Sequence, residues 1–137
     1  MDKEKKSLEV EKQKEQENLF KLSLFEQQLR QMHEQIEAVE SGIKELNLLS
    51  EGLKELVKSG GKEIYAPIGR GIFIKSKILS EELLVDVGNK NLVKKDIPKT
   101  QELIKIQIEK LEEIKKEIDA NLDSVSKEVE RLIHGIN

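Results

Sequence analysis

Few side chains in this sequence are suited to chemistry. Its two histidines, His33 and His134, are the only side chains whose ordinary pKa favours proton transfer near neutrality. Both fall on helical stretches, far apart along the helix pair derived below, and read as surface residues. No cysteine is present, so thiolate nucleophiles, disulfides and cysteine metal sites are excluded. Acidic residues are dense, but they recur beside lysines at i and i+4 spacing, which is ordinary support for a solvated helix face. Gly60-Gly61 and Gly69-Arg70-Gly71 lack the following Lys-Ser/Thr of a phosphate-binding loop. Lys75 and Lys77, just after the second of these, read as charges on a strand face. No catalytic residue, metal site or cofactor cradle can be assembled, and the expectation is a protein that is not an enzyme and uses no cofactor. What remains is the chemistry of surfaces. Leu19, Phe20, Leu22, Leu24 and Phe25 crowd one short stretch. Successive helical residues point about 100° apart, so these cannot all share one seam.

The elements that position this crowd are two heptad segments. In the first, Leu22, Leu29, Ile36 and Ile43 form one line and Phe25, Met32, Val39, Leu46 and Leu53 the other. These are a and d positions of a coiled coil. Upstream the lines would pass through Glu11, Glu15 and Asn18, with Leu8 the one apolar survivor. Residues 2–17 are therefore expected to be helical through Glu–Lys pairing and to bury nothing. Ser59-Gly60-Gly61 is expected to end the helix with a left-handed glycine. The second segment starts at Asp96, a candidate N-cap, with Pro98 in the first turn. Its lines are Ile104, Leu111, Ile118, Val125 and Leu132, and Ile108, Lys115, Leu122, Val129 and Ile136. Lys115 breaks the pattern, and Ile114 beside it is expected to cover the gap. Gly42 and Gly52 each cost the first helix up to about 1 kcal/mol relative to alanine. A hinge, a close backbone approach or chance would account for them.

Between the helices, glycine and proline punctuate β-branched runs. Ile64–Ile68, Ile72–Leu79, Leu83–Val87 and Leu92–Lys95 are four short strand candidates. Ala66, Ile68, Gly69, Phe73, Ile74 and Lys75 are echoed at a fixed offset by Val85, Val87, Gly88, Leu92, Val93 and Lys94. The segment reads as two consecutive β-hairpins. The fold class expected is α+β, a long antiparallel two-helix coiled coil with two hairpins inserted. Its organisation is one domain over 1–137: a helix to residue 59, hairpins over 62–95 and a second helix from 96.

Helices of roughly 50 and 38 residues would be about 75 and 57 Å long. Folded back on each other, they place Lys58 near Lys99 and Leu22 level with about residue 135. Leu132, Ile133 and Ile136 then join the apolar crowd, and exposed apolar patches mark interaction sites. The hairpins are too small to stand alone and leave strand edges open, so oligomerisation through them is expected, most simply by closing barrels between subunits.

Composition agrees. Charged residues are 37% and aromatics 3%, with 24 basic and 27 acidic side chains interleaved for a net charge of −3. That suits long solvated helices, and no basic stripe for nucleic acid is visible. No run reaches the about 18 apolar residues of a membrane span. The charged N-terminus does not read as a signal peptide, so no membrane partner and a cytoplasmic location are expected.

The stretch Ala66-Pro67-Ile68-Gly69-Arg70-Gly71-Ile72-Phe73-Ile74-Lys75, then Leu84-Val85-Asp86-Val87-Gly88 and the helix restart at Asp96, resembles the α class of archaeal-type prefoldin subunits. The likeness covers residues 20–137. Arg70 departs from it, standing in a turn where the family often has a small residue, and the leader 2–17 is longer than helix pairing needs. The resemblance implies a jellyfish-shaped heterohexamer of two α-type and four β-type prefoldin subunits on a double β-barrel platform. It implies an ATP-independent chaperone, a holdase that captures unfolded protein clients with its coiled-coil tips and delivers them to a group II chaperonin. Mapped by position, client binding falls on Leu19, Phe20, Leu22, Leu24, Phe25, Leu132, Ile133 and Ile136. Assembly falls on Ile64, Ala66, Ile68, Ile72, Ile74, Val85, Val87 and Val93. A coiled-coil scaffold or tether with one dedicated folded partner is the alternative.

Overall fold

The computed structural model describes residues 2–136; the Ile136 side chain lies outside what it describes. The chain runs α1 (Asp2–Leu56), β1 (Glu63–Gly69), β2 (Ile72–Lys77), β3 (Leu83–Asp86), β4 (Leu92–Lys95) and α2 (Ile97–Ile136). It divides into two compact units, residues 42–111 and residues 1–41 with 112–137.

The unit of residues 42–111 holds the hairpins and the ends of the helices that adjoin them. Its core is Leu53, Ile97 and Ile104, with Leu46, Leu56, Leu83 and Ile108 packed around them. Apart from Ile97, Leu56 and Leu83 these are heptad positions, so the seam read from sequence is the core. Helix α2 begins as its sequence requires. Asp96 accepts a hydrogen bond from the Lys99 amide at 2.8 Å, and the Thr100 hydroxyl donates to the Asp96 carbonyl at 2.8 Å. These satisfy groups a bare helix start leaves unpaired. The end of α1 differs from expectation. The left-handed residue next to the helix end is Lys58 (φ 61°), and the left-handed glycine, Gly61 (φ 86°), follows three residues later. Ser59, 2% exposed, donates its hydroxyl to the Leu56 carbonyl, and the Lys58 amide donates to the Glu81 carboxylate. Side-chain partners thus do the work that glycine was expected to do.

The hairpins form two separate two-stranded antiparallel sheets, β1–β2 and β3–β4. Ala66 pairs with Ile74 and Pro67 with Phe73; Val85 pairs with Val93 and Asp86 with Leu92. The offset echo in the sequence is therefore an echo in register. It also extends further than the sequence reading took it. The cross-strand ion pair Glu63–Lys75 (3.2 Å) recurs as Glu82–Lys94 (3.5 Å). The β1–β2 turn has Arg70 and Gly71 at positive φ (49° and 79°) between the paired Gly69 and Ile72. This is the two-residue geometry whose twist matches the strands. In the other turn Asn89 and Lys90 take φ of 51° and 61°, and the Asn91 amide donates to the Gly88 carbonyl at 3.0 Å.

In the other unit, residues 2–41 of α1 and 112–136 of α2 pair through the seam. Leu22, Phe25, Leu29, Met32, Ile36 and Val39 are half-buried, as are Ile118, Leu122, Val125, Val129 and Leu132. Residues 2–17 are helical and exposed throughout, while Asn18 is half-buried one step above Leu22. Lys115 is not covered by Ile114, which is 44% exposed. Instead its ammonium reaches Glu40 on α1 at 3.1 Å. A lysine carries its charge to the rim on an apolar stem, so the break in the pattern closes without an apolar neighbour.

The two helical glycines separate. A Cβ on Gly42 would meet Leu111 Cδ1 at 3.4 Å, whereas one on Gly52 would meet nothing within 4 Å. Gly52→Ala is expected to stabilise the protein by up to about 1 kcal/mol, and Gly42→Ala by less, because the new methyl presses on Leu111. Chemical denaturation of the two variants measures the difference. Lys90→Gly relieves a left-handed lysine and is expected to add a few tenths to about 1 kcal/mol, read as a higher denaturation midpoint at unchanged slope.

Candidate functional site

The helix pair of residues 2–41 and 112–136 sorts the apolar crowd into two groups. Leu22, Phe25 and Leu132 sit half-buried in the seam, each facing the other helix. Leu19, Phe20, Leu24 and Ile133 stand off it, exposed by 60, 66, 45 and 46%. The helical period dictates this division, because a two-line seam has room for only one side chain in about 3.5. The remaining predicted contact residue, Ile136, has a side chain outside the described residues. Gln13, Gln16 and Glu17 border Phe20 in a shallow hollow. This surface offers apolar area without catalytic groups, which suits contact with other apolar side chains.

The unit of residues 42–111 presents a second surface. Alternation along the paired strands puts Ile64, Ala66, Ile74 and Ser76 on one face of the first hairpin. Leu83, Val85, Val93 and Lys95 hold the equivalent face of the second. Ala66, Ser76, Leu83, Val85 and Lys95 are half-buried, so this is the inner face of both hairpins. Much of it is still open: Ile64, Ile74 and Val93 are 40, 54 and 41% exposed. Ile68 and Ile72 flank the first turn and Val87 follows β3, at 67, 61 and 52% exposure. A groove of about 540 Å³ runs along β3, lined by Leu83 to Val87 on one side and by Leu46, Leu49, Leu53, Leu103 and Ile104 on the other. Among the described residues, the edge of β3 away from β4 pairs with no strand. An apolar groove beside an open edge is the geometry that an added strand completes.

Sequence reasoning missed the opposite face of the hairpins. Tyr65 and Phe73 lie there on the first, and Leu84 and Leu92 on the second, all between 58 and 69% exposed. The signal was present, since Tyr65 and Leu84, and Phe73 and Leu92, stand at the same offset as the inner-face pairs. Among the described residues no group of histidine, cysteine or carboxylate side chains could hold a metal ion, and no helix is long and apolar enough to cross a membrane.

Comparison with known proteins bears on the fold and the family. A chain in the cryo-EM structure of filamentous PFD from Methanocaldococcus jannaschii superposes with a TM-score of 0.76, covering 83% of this chain and 96% of that one at 20% identity. That likeness shows a shared fold. Prefoldin subunit alpha of Methanosphaera stadtmanae is 26% identical over 92 residues, 67% of this chain and 67% of the relative. Prefoldin subunit alpha of Methanobrevibacter smithii is 32% identical over 85 residues, 61% of this chain and 58% of the relative. For that of Methanospirillum hungatei the figures are 33% over 75 residues, 54% and 50%. The matched stretches thus span between half and two thirds of these relatives. The family model for a prefoldin subunit matches residues 19–136, taking in both hairpins, all of α2 and all of α1 beyond the charged leader. A match that extensive makes this chain a member of the prefoldin family.

Proposed function

We propose that this chain is the α-class subunit of a cytoplasmic prefoldin and acts as an ATP-independent holdase. Two copies would combine with four β-type subunits. The complex would hold non-native polypeptides and pass them to a group II chaperonin. The observation that carries this reading is the off-seam set Leu19, Phe20, Leu24 and Ile133. These residues are exposed where the helix pair ends, and the seam has no room for them. A large apolar side chain gains about 1.5–3 kcal/mol when fully covered. Several partly covered anchors therefore hold a client firmly enough to keep it from aggregating, yet release it without ATP.

The assembly half of the proposal rests on the inner faces of the hairpins. Isolated two-stranded hairpins are marginal in water. These two expose Ile64, Ile74 and Val93 on the face that their half-buried residues turn inward. Strands from neighbouring subunits would cover those side chains and pair with the open edges.

Two measurements test the two halves separately. Serine at Leu19, Phe20, Leu24 and Ile133 together should bring light scattering by a chemically denatured client back to that of the client alone, with the mass of the complex unchanged. Phe25 is left intact because it belongs to the seam. Full suppression by this variant would show that the grip lies elsewhere, and binding of one folded partner alone would favour a tether. Ile74→Asp with Val93→Asp should leave helical circular dichroism unchanged and reduce the particle formed with a β-type partner to free subunits, as read by multi-angle light scattering.

A further inference from the structure

The assembly proposed above would use one face of each hairpin and assigns no occupant to the other. On β1–β2 that other face holds Tyr65, Phe73, Lys75 and Lys77. Tyr65 and Phe73 are 69 and 58% exposed and are two of the four aromatic residues in the chain. Tyr65 stands opposite Lys75 and Phe73 opposite Pro67. The rings are therefore diagonal neighbours, close enough to contact one ligand together. Lys75 is held by Glu63 at 3.2 Å; among the described residues Lys77 and Arg70 enter no ion pair. Residues 61–95 carry seven basic against four acidic side chains, while residues 1–60 and 96–137 are each acidic by three. The hairpins are thus the one basic segment of an acidic chain. Arg70 also keeps its cation at a turn position with φ 49°, a conformation that costs a non-glycine residue roughly 1 kcal/mol or more.

We propose that the outer face of β1–β2 is a docking surface for an acidic, extended peptide segment of another protein. Apolar side chains of the peptide lie on Tyr65 and Phe73, and its carboxylates meet Lys75, Lys77 and Arg70. The choice of occupant follows from charge and from the spacing of alternate side chains along the face. Single-stranded nucleic acid also binds faces of aromatic and basic residues. Here Glu63 lies within the face and the flanking segments are acidic, which opposes a polyphosphate more than a peptide with a few carboxylates. The inference is independent of client holding, because it uses none of the residues assigned to that role.

Fluorescence anisotropy on the assembled complex tests it, with a fluorescein-labelled peptide that alternates glutamate and leucine. A lysine–leucine peptide and an oligouridylate serve as the other arms. Saturable binding of the acidic peptide is expected, weakening as salt rises. Lys75→Gln with Lys77→Gln should weaken it up to about tenfold, the worth of two exposed charge contacts. Tyr65→Ser with Phe73→Ser should weaken it by a comparable factor. Neither pair should alter the mass of the complex or its suppression of client aggregation. The proposal is overturned if the acidic peptide does not saturate, if the lysine peptide binds equally well, if the oligouridylate binds more tightly, or if both variants retain full affinity. Should the serine pair disturb assembly, the glutamine pair, which leaves the apolar area untouched, decides the outcome.

Discussion

The narrowness of the heptad seam constrains everything else in this chain. Two lines of apolar side chains per helix can be covered by one antiparallel partner, and little beyond that can be buried. Among the described residues, Leu53, Ile97 and Ile104 are the apolar side chains that become fully buried. Leu22, Ile36, Ile118 and Val129, along the seam, stay half-covered. Among the described residues the buried set is that small, and most apolar side chains keep part of their area open to solvent. The apolar side chains that the seam has no room for, such as Leu19 and Phe20, are left on the surface, and the proposed function rests on them.

The seam was legible because its signal is periodic and long. Each heptad position named from sequence between Leu22 and Leu46, and between Ile108 and Leu132, is half-buried. Single exceptions were harder to read. Lys115 interrupts the pattern, and sequence spacing pointed to Ile114 as its cover. The actual compensation is an ion pair to Glu40 on the other helix, which depends on the inter-helix register to within one residue. The end of α1 failed for a related reason. One serine and two glycines in a row read as a glycine cap, but the left-handed residue next to the helix end is Lys58, ahead of Gly61, and its amide is taken up by Glu81, a residue far along the chain. A cap that draws on a distant carboxylate leaves no local signature.

The hairpins were legible for a different reason. Proline, glycine and β-branched residues mark strand and turn locally, and the repeat at a fixed offset gave a second, independent reading. What the repeat did not convey by itself was which residues share a face. Once the register is known, the duplication proves to be of whole faces: half-buried Ala66 and Ser76 answer Val85 and Lys95, and the ion pair Glu63–Lys75 answers Glu82–Lys94. Exposed ion pairs contribute little stability, typically under about 1 kcal/mol. Recurrence of this pair at both sites therefore reflects common register more than a shared energetic role.

Each hairpin has two faces and not enough chain to cover either. The inner face can be satisfied by strands of like kind, because its aliphatic side chains alternate with a short repeat and its edges are open. The outer face of the first hairpin cannot be satisfied in the same way. A strand partner that filled it with aliphatic side chains would desolvate the Lys75–Glu63 pair and leave Lys77 without counter-charge, a cost that opposes burial of charged groups. Tyr65 and Phe73 favour contact, and the lysines require it to be with something acidic. On the two proposals above, the same two strands would combine an inner surface selective for shape with an outer one selective for charge. Period-two alternation of side chains allows both selections in a segment this short.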